Sequence, residues 1–282
     1  MKKYELTKET KTLVDGTVLH RIRALRDMPR FGVKAGELGG FVEGENNLSQ
    51  DGDAWVFCNA NVYGNAEVYG NAKVFDNAKV FDNAWVSGNA WVYGNAEISG
   101  NAKVFGNAWV FDNAWVSGDA KVYGNAEVYG NARVYGNARV FGNAKIYGDA
   151  EVSGNAKVSG NAEVSGDACV SGNAWVFGDA KVSGDAKVSG NAWVSGNAKV
   201  SGDAEVSDNS DYMVIKNTWS SGRWFTYTRS NRMWRVGCFY GTGEELVKKA
   251  YADSELSGKC YEAIVRAVET IEAAKAEAKE TK

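Results

Sequence analysis

Between positions 54 and 204 the chain repeats a six-residue pattern of apolar and polar positions. An alanine occupies every sixth position from Ala54 to Ala204, and a valine or isoleucine follows two positions after each one. Side chains two apart in a β-strand point to the same side, so these two residues face one interior and the residues flanking the valine face outward. Twenty-six hexads without an insertion predict a β-helix built from very short strands.

Glycine followed by asparagine or aspartate separates most hexads and predicts a sharp turn after every strand. Glycine adopts positive φ without a steric cost, and asparagine and aspartate are common in tight turns. Within the repeat, other residues replace this glycine at Cys58, Asp76, Asp82 and Asp112. Aspartate enters the left-handed region more readily than most residues, so three of these four substitutions are compatible with the turn.

The hexads resemble those of the hexapeptide-repeat superfamily, in which an aliphatic residue is followed four positions later by a small one. Residues 68–73, which read Val-Tyr-Gly-Asn-Ala-Lys, show this pattern, and the pattern covers more than half of the chain. The resemblance implies an all-β solenoid: a left-handed parallel β-helix with three hexads, hence 18 residues, in each coil. Nearly nine coils would then extend over roughly 40 Å, at about 4.8 Å per coil.

A coil of this size stacks every third hexad and creates three flat faces. Face one begins with Trp55, face two with Asn61 and face three with Glu67, and each continues in steps of 18 residues. On faces one and two, most of the charged residues that precede the valine alternate in sign along the stack. Opposite charges on neighbouring strands stabilise a sheet. Face three departs from this rule, because four consecutive coils carry a cation. These residues, the cationic stripe, are Lys103, Lys121, Arg139 and Lys157.

Aromatic residues after the valine lie beside the cationic stripe. They are Phe105, Tyr123 and Phe141. A surface that combines cations and rings is typical of sites for anionic ligands, so the stripe is predicted to bind an acidic partner or a phosphate-bearing ligand. The alternative is a solvated face on which cations and rings cover one another.

Face one carries aromatic residues after the valine in its first six coils and serine in the last three. This aromatic ladder consists of Phe57, Phe75, Tyr93, Phe111, Tyr129 and Tyr147. Contiguous exposed apolar surface usually marks an interface, and prisms of the resembled superfamily commonly form trimers. We therefore expect a homo-oligomer, with a trimer favoured, that uses Phe57, Phe75, Tyr93 and Phe111.

The two ends of the chain do not repeat. Residues 1–50 are predicted to form a short β cap on residues 51–207, because the open end of a solenoid needs covering. Residues 208–282 are predicted to form a small α+β domain, with two or three strands in residues 212–240 and two helices after a capping box at Thr242. The N-terminal segment, through residues 33–42 and 47–50, resembles the entry region of transferase-like hexapeptide proteins from enteric bacteria and their phages. The C-terminal segment, through residues 237–242, resembles a small domain appended to such repeats in phage-like sequences.

The C-terminal domain contains a basic and aromatic segment. Between Asp211 and Glu244 it has five cations, among them Arg223, Arg229 and Arg232, interleaved with tryptophans and with no acid. This composition suits the binding of a nucleotide or of single-stranded nucleic acid. It equally suits a capping domain with a solvated basic face.

Residues for catalysis are few. The single histidine, His20, lies outside the coils on an apolar strand, and the coils contain neither a histidine nor a loop insertion. Hexapeptide acyltransferases depend on both features, and zinc carbonic anhydrases of similar fold need three histidine ligands, so the zinc activity is excluded. The four cysteines form no CxxC pair, which indicates reduced thiols. We predict no catalytic residue, metal or cofactor.

Charge and hydropathy narrow the functional classes further. A formal net charge of −3 disfavours bulk binding of nucleic acid. The chain has no apolar run of membrane-span length, and its start lacks the apolar core of a signal peptide, so we expect a cytoplasmic protein without a membrane partner. The expected function is a non-catalytic β-helical binding or scaffold protein that presents aromatic and basic surfaces to a macromolecular partner or to itself. The alternatives are a phage-encoded inhibitor that binds a host protein or sequesters a nucleotide, and an atypical hexapeptide acyltransferase.

Overall fold

The computed structural model describes residues 2–280. Its first two strands, β1 (Tyr4–Thr12) and β2 (Val18–Ala24), form an antiparallel hairpin, and β3 (Leu38–Val42) pairs with β2. On its other side β3 pairs in parallel with the strand Asn61–Val62, which belongs to face two. The N-terminal segment therefore continues one sheet of the solenoid.

Twenty-six two-residue strands form the solenoid, one per hexad, from β4 (Trp55–Val56) to β29 (Glu205–Val206). Each strand except the last of its face pairs in parallel with the strand 18 residues further along the chain, as Trp91 pairs with Trp109. Face one is a sheet of 9 strands and face three a sheet of 8, whereas the sheet of face two has 12 because β1–β3 extend it. The predicted fold class, a β-solenoid with 18 residues per coil, is confirmed.

The interior of the solenoid contains the alanines and valines of the hexads. All of them, from Ala54 to Val206, have no exposed surface. Small and β-branched side chains of constant size fill the narrow prism without rearrangement from coil to coil. Binding and chemistry along the coils must therefore use the outward-facing residues.

The hexad turns have the left-handed backbone that the glycines predict, and aspartate contributes an additional bond there. Asp76, Asp82 and Asp112 have φ of 60°, 60° and 59°. Each carboxylate accepts a hydrogen bond from the backbone N–H of the glycine one coil further on, at 3.2, 3.0 and 3.2 Å respectively. These bonds offset part of the cost of a left-handed aspartate.

The asparagines at the turns stack into hydrogen-bonded ladders. Within a ladder, a side-chain amide donates to the side-chain oxygen one coil further along, as Asn107 does to Asn125 at 3.1 Å. Three of these runs end on an aspartate, which accepts a bond but has no N–H to donate onward. Those final acceptors are Asp119, Asp149 and Asp179.

The C-terminal domain is an antiparallel sheet with two helices against it. The strands lie in the order β30 (Tyr212–Lys216), β31 (Trp224–Thr228), β32 (Met233–Val236) and β33 (Phe239–Gly241), followed by α1 (Gly243–Asp253) and α2 (Glu255–Glu280). The sequence predicted two or three strands, and the structure adds a fourth, three-residue strand.

The predicted capping box opens α1. The Thr242 hydroxyl accepts a hydrogen bond from the Glu245 N–H, and the Glu245 carboxylate accepts one from the Thr242 N–H. Among residues 2–280, none of the helices is both long enough and apolar enough to span a membrane.

Candidate functional site

The cationic stripe runs straight along face three. Lys103 pairs in register with Lys121, Lys121 with Arg139, and Arg139 with Lys157. Neighbouring strands are about 4.8 Å apart, so the four cations cover about 14 Å along the solenoid axis.

Both ends of the cationic stripe contact tryptophan rings. The Lys103 ammonium lies 4.0 Å from the centre of the Trp85 ring, and the Lys157 ammonium lies 5.5 Å from that of Trp175. Such contacts stabilise a cation by about 0.5–1 kcal/mol at exposed sites. The two terminal cations of the stripe are therefore partly satisfied within the chain.

The two central cations have no comparable partner. Within the described part of the chain, Lys121 and Arg139 form no ion pair and no contact with an aromatic ring. On face one, by contrast, Lys145 lies 3.1 Å from the Glu127 carboxylate and Lys181 lies 3.0 Å from that of Glu163. The centre of the stripe is thus a positively charged surface without an internal counter-charge.

Three stacked rings lie along the stripe. The ring centres of Phe105 and Tyr123 are 4.9 Å apart, those of Tyr123 and Phe141 are 5.1 Å apart, and the planes are within 5° of parallel. Because the rings stack on one another and are half-buried, they form a rigid wall beside the cations.

The aromatic ladder of face one has the same geometry over a longer distance. Phe75, Tyr93 and Phe111 stack at 4.8 Å, and Phe57 meets Phe75 edge-on at 6.4 Å. Phe57 also contacts Phe31 of the N-terminal segment. Burial raises the pKa of the Tyr93 hydroxyl. The ladder is half-buried within one chain, and its role as an oligomer interface stays a prediction.

The three arginines of the C-terminal domain do not all lie together. Arg223 precedes β31 and Arg229 follows it, so their backbones lie about 20 Å apart along the strand. The Arg229 guanidinium forms two hydrogen bonds, of 2.7 and 3.0 Å, to the Glu272 carboxylate, which raises the pKa of Arg229. Arg232 is exposed, with a left-handed φ of 56°. Arg229 and Arg232 line the same groove and Arg223 does not, so the three arginines do not form one basic site.

A groove of about 830 Å³ lies between α2 and the C-terminal sheet. Its lining includes two aromatic residues, Tyr227 and Trp234, and three charged residues, Arg229, Arg232 and Glu272. Both aromatic residues are more than nine-tenths buried, so their faces are not available for a planar ligand to stack on.

The C-terminal domain covers the free strand edges at the end of the solenoid. The last strand of each face has a backbone N–H for which no further coil supplies a carbonyl acceptor. Side-chain oxygens of the domain and its linker accept these three bonds: Asn209 from Trp193 at 2.6 Å, Thr226 from Lys199 at 2.9 Å, and Ser230 from Glu205 at 2.7 Å. Sequence reasoning predicted a cap but not these three residues, because nothing periodic marks them.

A buried lysine closes the other end. The Lys3 ammonium is fully buried and donates a hydrogen bond of 2.8 Å to the carbonyl of Ala54, the first hexad alanine. Burial, with a smaller contribution from the nearby Arg26 charge, lowers the pKa of Lys3 from 10.5 to about 8. Both ends of the solenoid are therefore covered by specific polar contacts.

The residues with potential for chemistry are dispersed. The His20 imidazole is half-buried, and its Nδ1 lies 3.4 Å from the Thr7 carbonyl oxygen. In the part of the chain that the structure describes, no three His, Cys, Asp or Glu side chains are grouped so that they could bind a metal ion.

Comparison with known proteins supports the repeat itself. A model of the YdcK beta solenoid repeat matches residues 132–148, which include the strands Arg133–Val134, Arg139–Val140 and Lys145–Ile146. These strands lie one on each face, so the match covers about one coil and includes Arg139, one of the two central cations of the stripe. No curated protein matches the chain. The chain is a parallel β-solenoid repeat protein that is similar to the YdcK repeat over this coil.

Proposed function

We propose that this chain is a non-catalytic binding or scaffold protein whose cationic stripe binds an acidic protein surface. The observation that carries the proposal is the unbalanced charge of Lys121 and Arg139 at the centre of face three. Their backbone positions are fixed by the sheet, so a partner meets a preformed row of charges.

The stripe is costly for the free protein. Each pair of like charges on neighbouring strands destabilises a sheet by about 0.2–1 kcal/mol, and the stripe contains three such pairs. The repeat accommodates glutamate at the equivalent position, as Glu127 and Glu163 show on face one. An acidic surface placed against the stripe replaces this repulsion with attraction.

Three broader features belong to the same proposal. The hexad pattern and the 18-residue coil support membership of the left-handed hexapeptide-repeat superfamily, near the transferase-like proteins of enteric bacteria and phages. Four free cysteines, Cys58, Cys169, Cys238 and Cys260, fit a reducing cytoplasm. The stacked ladder of face one supports a homo-oligomer in which the half-exposed rings of neighbouring copies meet, with a trimer favoured.

The test is binding of the full-length protein to poly-L-glutamate, followed by fluorescence anisotropy at increasing salt. We expect binding that weakens as salt rises, because the charges are exposed and screened. The double variant Lys121→Glu/Arg139→Glu is expected to lose binding. Free of ligand, it should be slightly more stable than wild type, because two attractive contacts and one repulsive contact replace three repulsive ones.

A matched control separates the stripe from net charge. Lys8→Glu/Lys248→Glu makes the same change in charge outside the coils, at two exposed lysines that form no ion pair among residues 2–280, and is expected to retain binding. Equal losses in both variants, or undiminished binding by the stripe variant, would overturn the proposal. Polyphosphate is the second probe: stripe-dependent binding of polyphosphate without binding of polyglutamate would overturn the assignment to an acidic protein.

A further inference from the structure

A row of four aspartates lies at the corner of the solenoid between face one and face two. These residues, the acidic row, are Asp149, Asp167, Asp185 and Asp203. Each is exposed and stands two residues before a strand of face two. Those strands pair with one another in succession, so the four carboxylates stack in consecutive coils.

The acidic row resembles the cationic stripe in its internal contacts. At its ends, Asp149 accepts a hydrogen bond of 2.8 Å from the Asn131 amide, and Asp203 accepts one of 2.9 Å from the Asn231 amide. Within residues 2–280, the two central aspartates, Asp167 and Asp185, have no ion pair and no side-chain hydrogen bond. In both rows the terminal charges are partnered and the central pair is not.

The two rows match in number of charges, spacing and length. Each has four charges at steps of about 4.8 Å and extends about 14 Å parallel to the solenoid axis. We propose that the acidic partner of the cationic stripe is a second copy of this chain, whose acidic row docks along face three. This inference rests on the proposed function, because it names the partner of the same stripe.

One chain cannot satisfy its own rows. The corner between faces one and two is opposite face three in a three-sided solenoid, so the two rows of one molecule point away from each other. Contact between them therefore joins different surfaces of two copies and leaves one free row on each. Association of this kind is open-ended. It produces an extended side-by-side array of parallel or antiparallel prisms rather than a closed ring.

The rows are also offset along the axis. Lys103 and Asp149, the first members of the two rows, are 46 residues apart in the chain, which corresponds to about 2.5 coils or about 12 Å. In an array of parallel prisms, each copy is therefore displaced along the axis of its neighbour by about that distance. The closed trimer through the aromatic ladder has no such displacement, so the two modes of assembly differ in shape and in size distribution.

The experiment is a charge exchange followed by sedimentation velocity of the full-length protein. At ~0.01 M salt, where the Debye length is about 30 Å, the wild type is expected to form species that grow with concentration, and at ~1 M salt, where it is about 3 Å, to dissociate. Lys121→Glu/Arg139→Glu and Asp167→Lys/Asp185→Lys are each expected to weaken self-association about tenfold or more, because like charges then face each other.

Mixing the two variants supplies the decisive measurement. The reversed stripe of one then faces the reversed acidic row of the other, so the mixture is expected to associate as the wild type does. Lys8→Glu/Lys248→Glu serves as the folded control with the same charge change as the stripe variant, lies away from both rows and should associate normally. Circular dichroism of every variant checks the fold, and Lys121→Gln/Arg139→Gln gives a milder change if a reversal fails to fold.

Several outcomes would overturn the inference. They are a wild type that, as a monomer or as the face-one trimer, associates no further at low salt, or a mixture of variants that does not associate. If the monomer still binds polyglutamate through the stripe, the proposed function stands and only the identity of the partner is wrong. If stripe-dependent binding of polyglutamate is also absent, the proposed function fails as well.

Discussion

Replacing Thr226 by valine tests whether the C-terminal domain holds the open end of the solenoid. The Thr226 hydroxyl accepts the backbone N–H of Lys199 at 2.9 Å, and the threonine is 1% exposed. Valine retains the shape of threonine but cannot accept a hydrogen bond. In Thr226→Val the N–H of Lys199 is left without a partner where water has little access.

The cost follows from that burial. A buried N–H without an acceptor destabilises a protein by about 1–3 kcal/mol. Ser230→Ala removes the equivalent acceptor of the Glu205 N–H at a site where serine is exposed. Water can replace that hydroxyl, so we expect the second variant to cost under about 1 kcal/mol. The difference between the two variants in free energy of unfolding measures the effect of burial, because each variant removes one hydrogen bond of the same kind.

Hydrogen exchange read by mass spectrometry, together with urea unfolding, distinguishes the two variants. In Thr226→Val the Lys199 amide should exchange faster, whereas amides in the central coils keep their protection, because coils interact mainly with their neighbours. Equal destabilisation by both variants, or unchanged exchange at Lys199 in Thr226→Val, would show that the hydroxyl contact does not hold the solenoid end.

Three further predictions concern single positions. Lys3→Met should lose stability relative to the wild type by up to about 3 kcal/mol as the pH rises from about 8 to 10.5, because the native lysine pKa of about 8 lies under its ordinary 10.5 and the wild type gains stability as Lys3 loses its proton; urea unfolding across this range measures the difference. Gly136 has a φ of 67° and should tolerate replacement by aspartate better than replacement by alanine. Gly136→Ala should lower the stability measured by thermal unfolding by about 1–2 kcal/mol. Asn107→Asp removes the donor to Asn125 and should cost about 0.5–1.5 kcal/mol by the same measurement.

The solenoid was predictable from the sequence because its residues recur in nearly identical surroundings. The hexad alanines and valines place the interior, and the stacking of charges such as Glu127 with Lys145 identifies the 18-residue coil. The same register also places Lys103 beside Trp85. A rule about charge signs treats tryptophan as neutral, so the cation–π contact there was not anticipated.

The contacts of the two ends were not predictable in the same way. The Arg229–Glu272 pair joins residues 43 positions apart, and the Thr226 hydroxyl meets the Lys199 N–H across 27 positions. Neither segment repeats, so no period relates the partners. Composition grouped Arg229 with Arg223, whereas the strand between them separates the two in space.

The three-fold stacking of hexads makes the surface of this protein sensitive to insertions and deletions in a way that its core is not. Removing one hexad between Lys121 and Arg139 would leave every alanine and valine inside, but it would rotate all later coils by about a third of a turn. The first half of the cationic stripe would then end on one face, and the second half would continue on another. Removing three hexads would shorten the solenoid by one coil without rotation. Changes in repeat number during evolution can therefore preserve the fold while exchanging the pattern of charges that a partner meets.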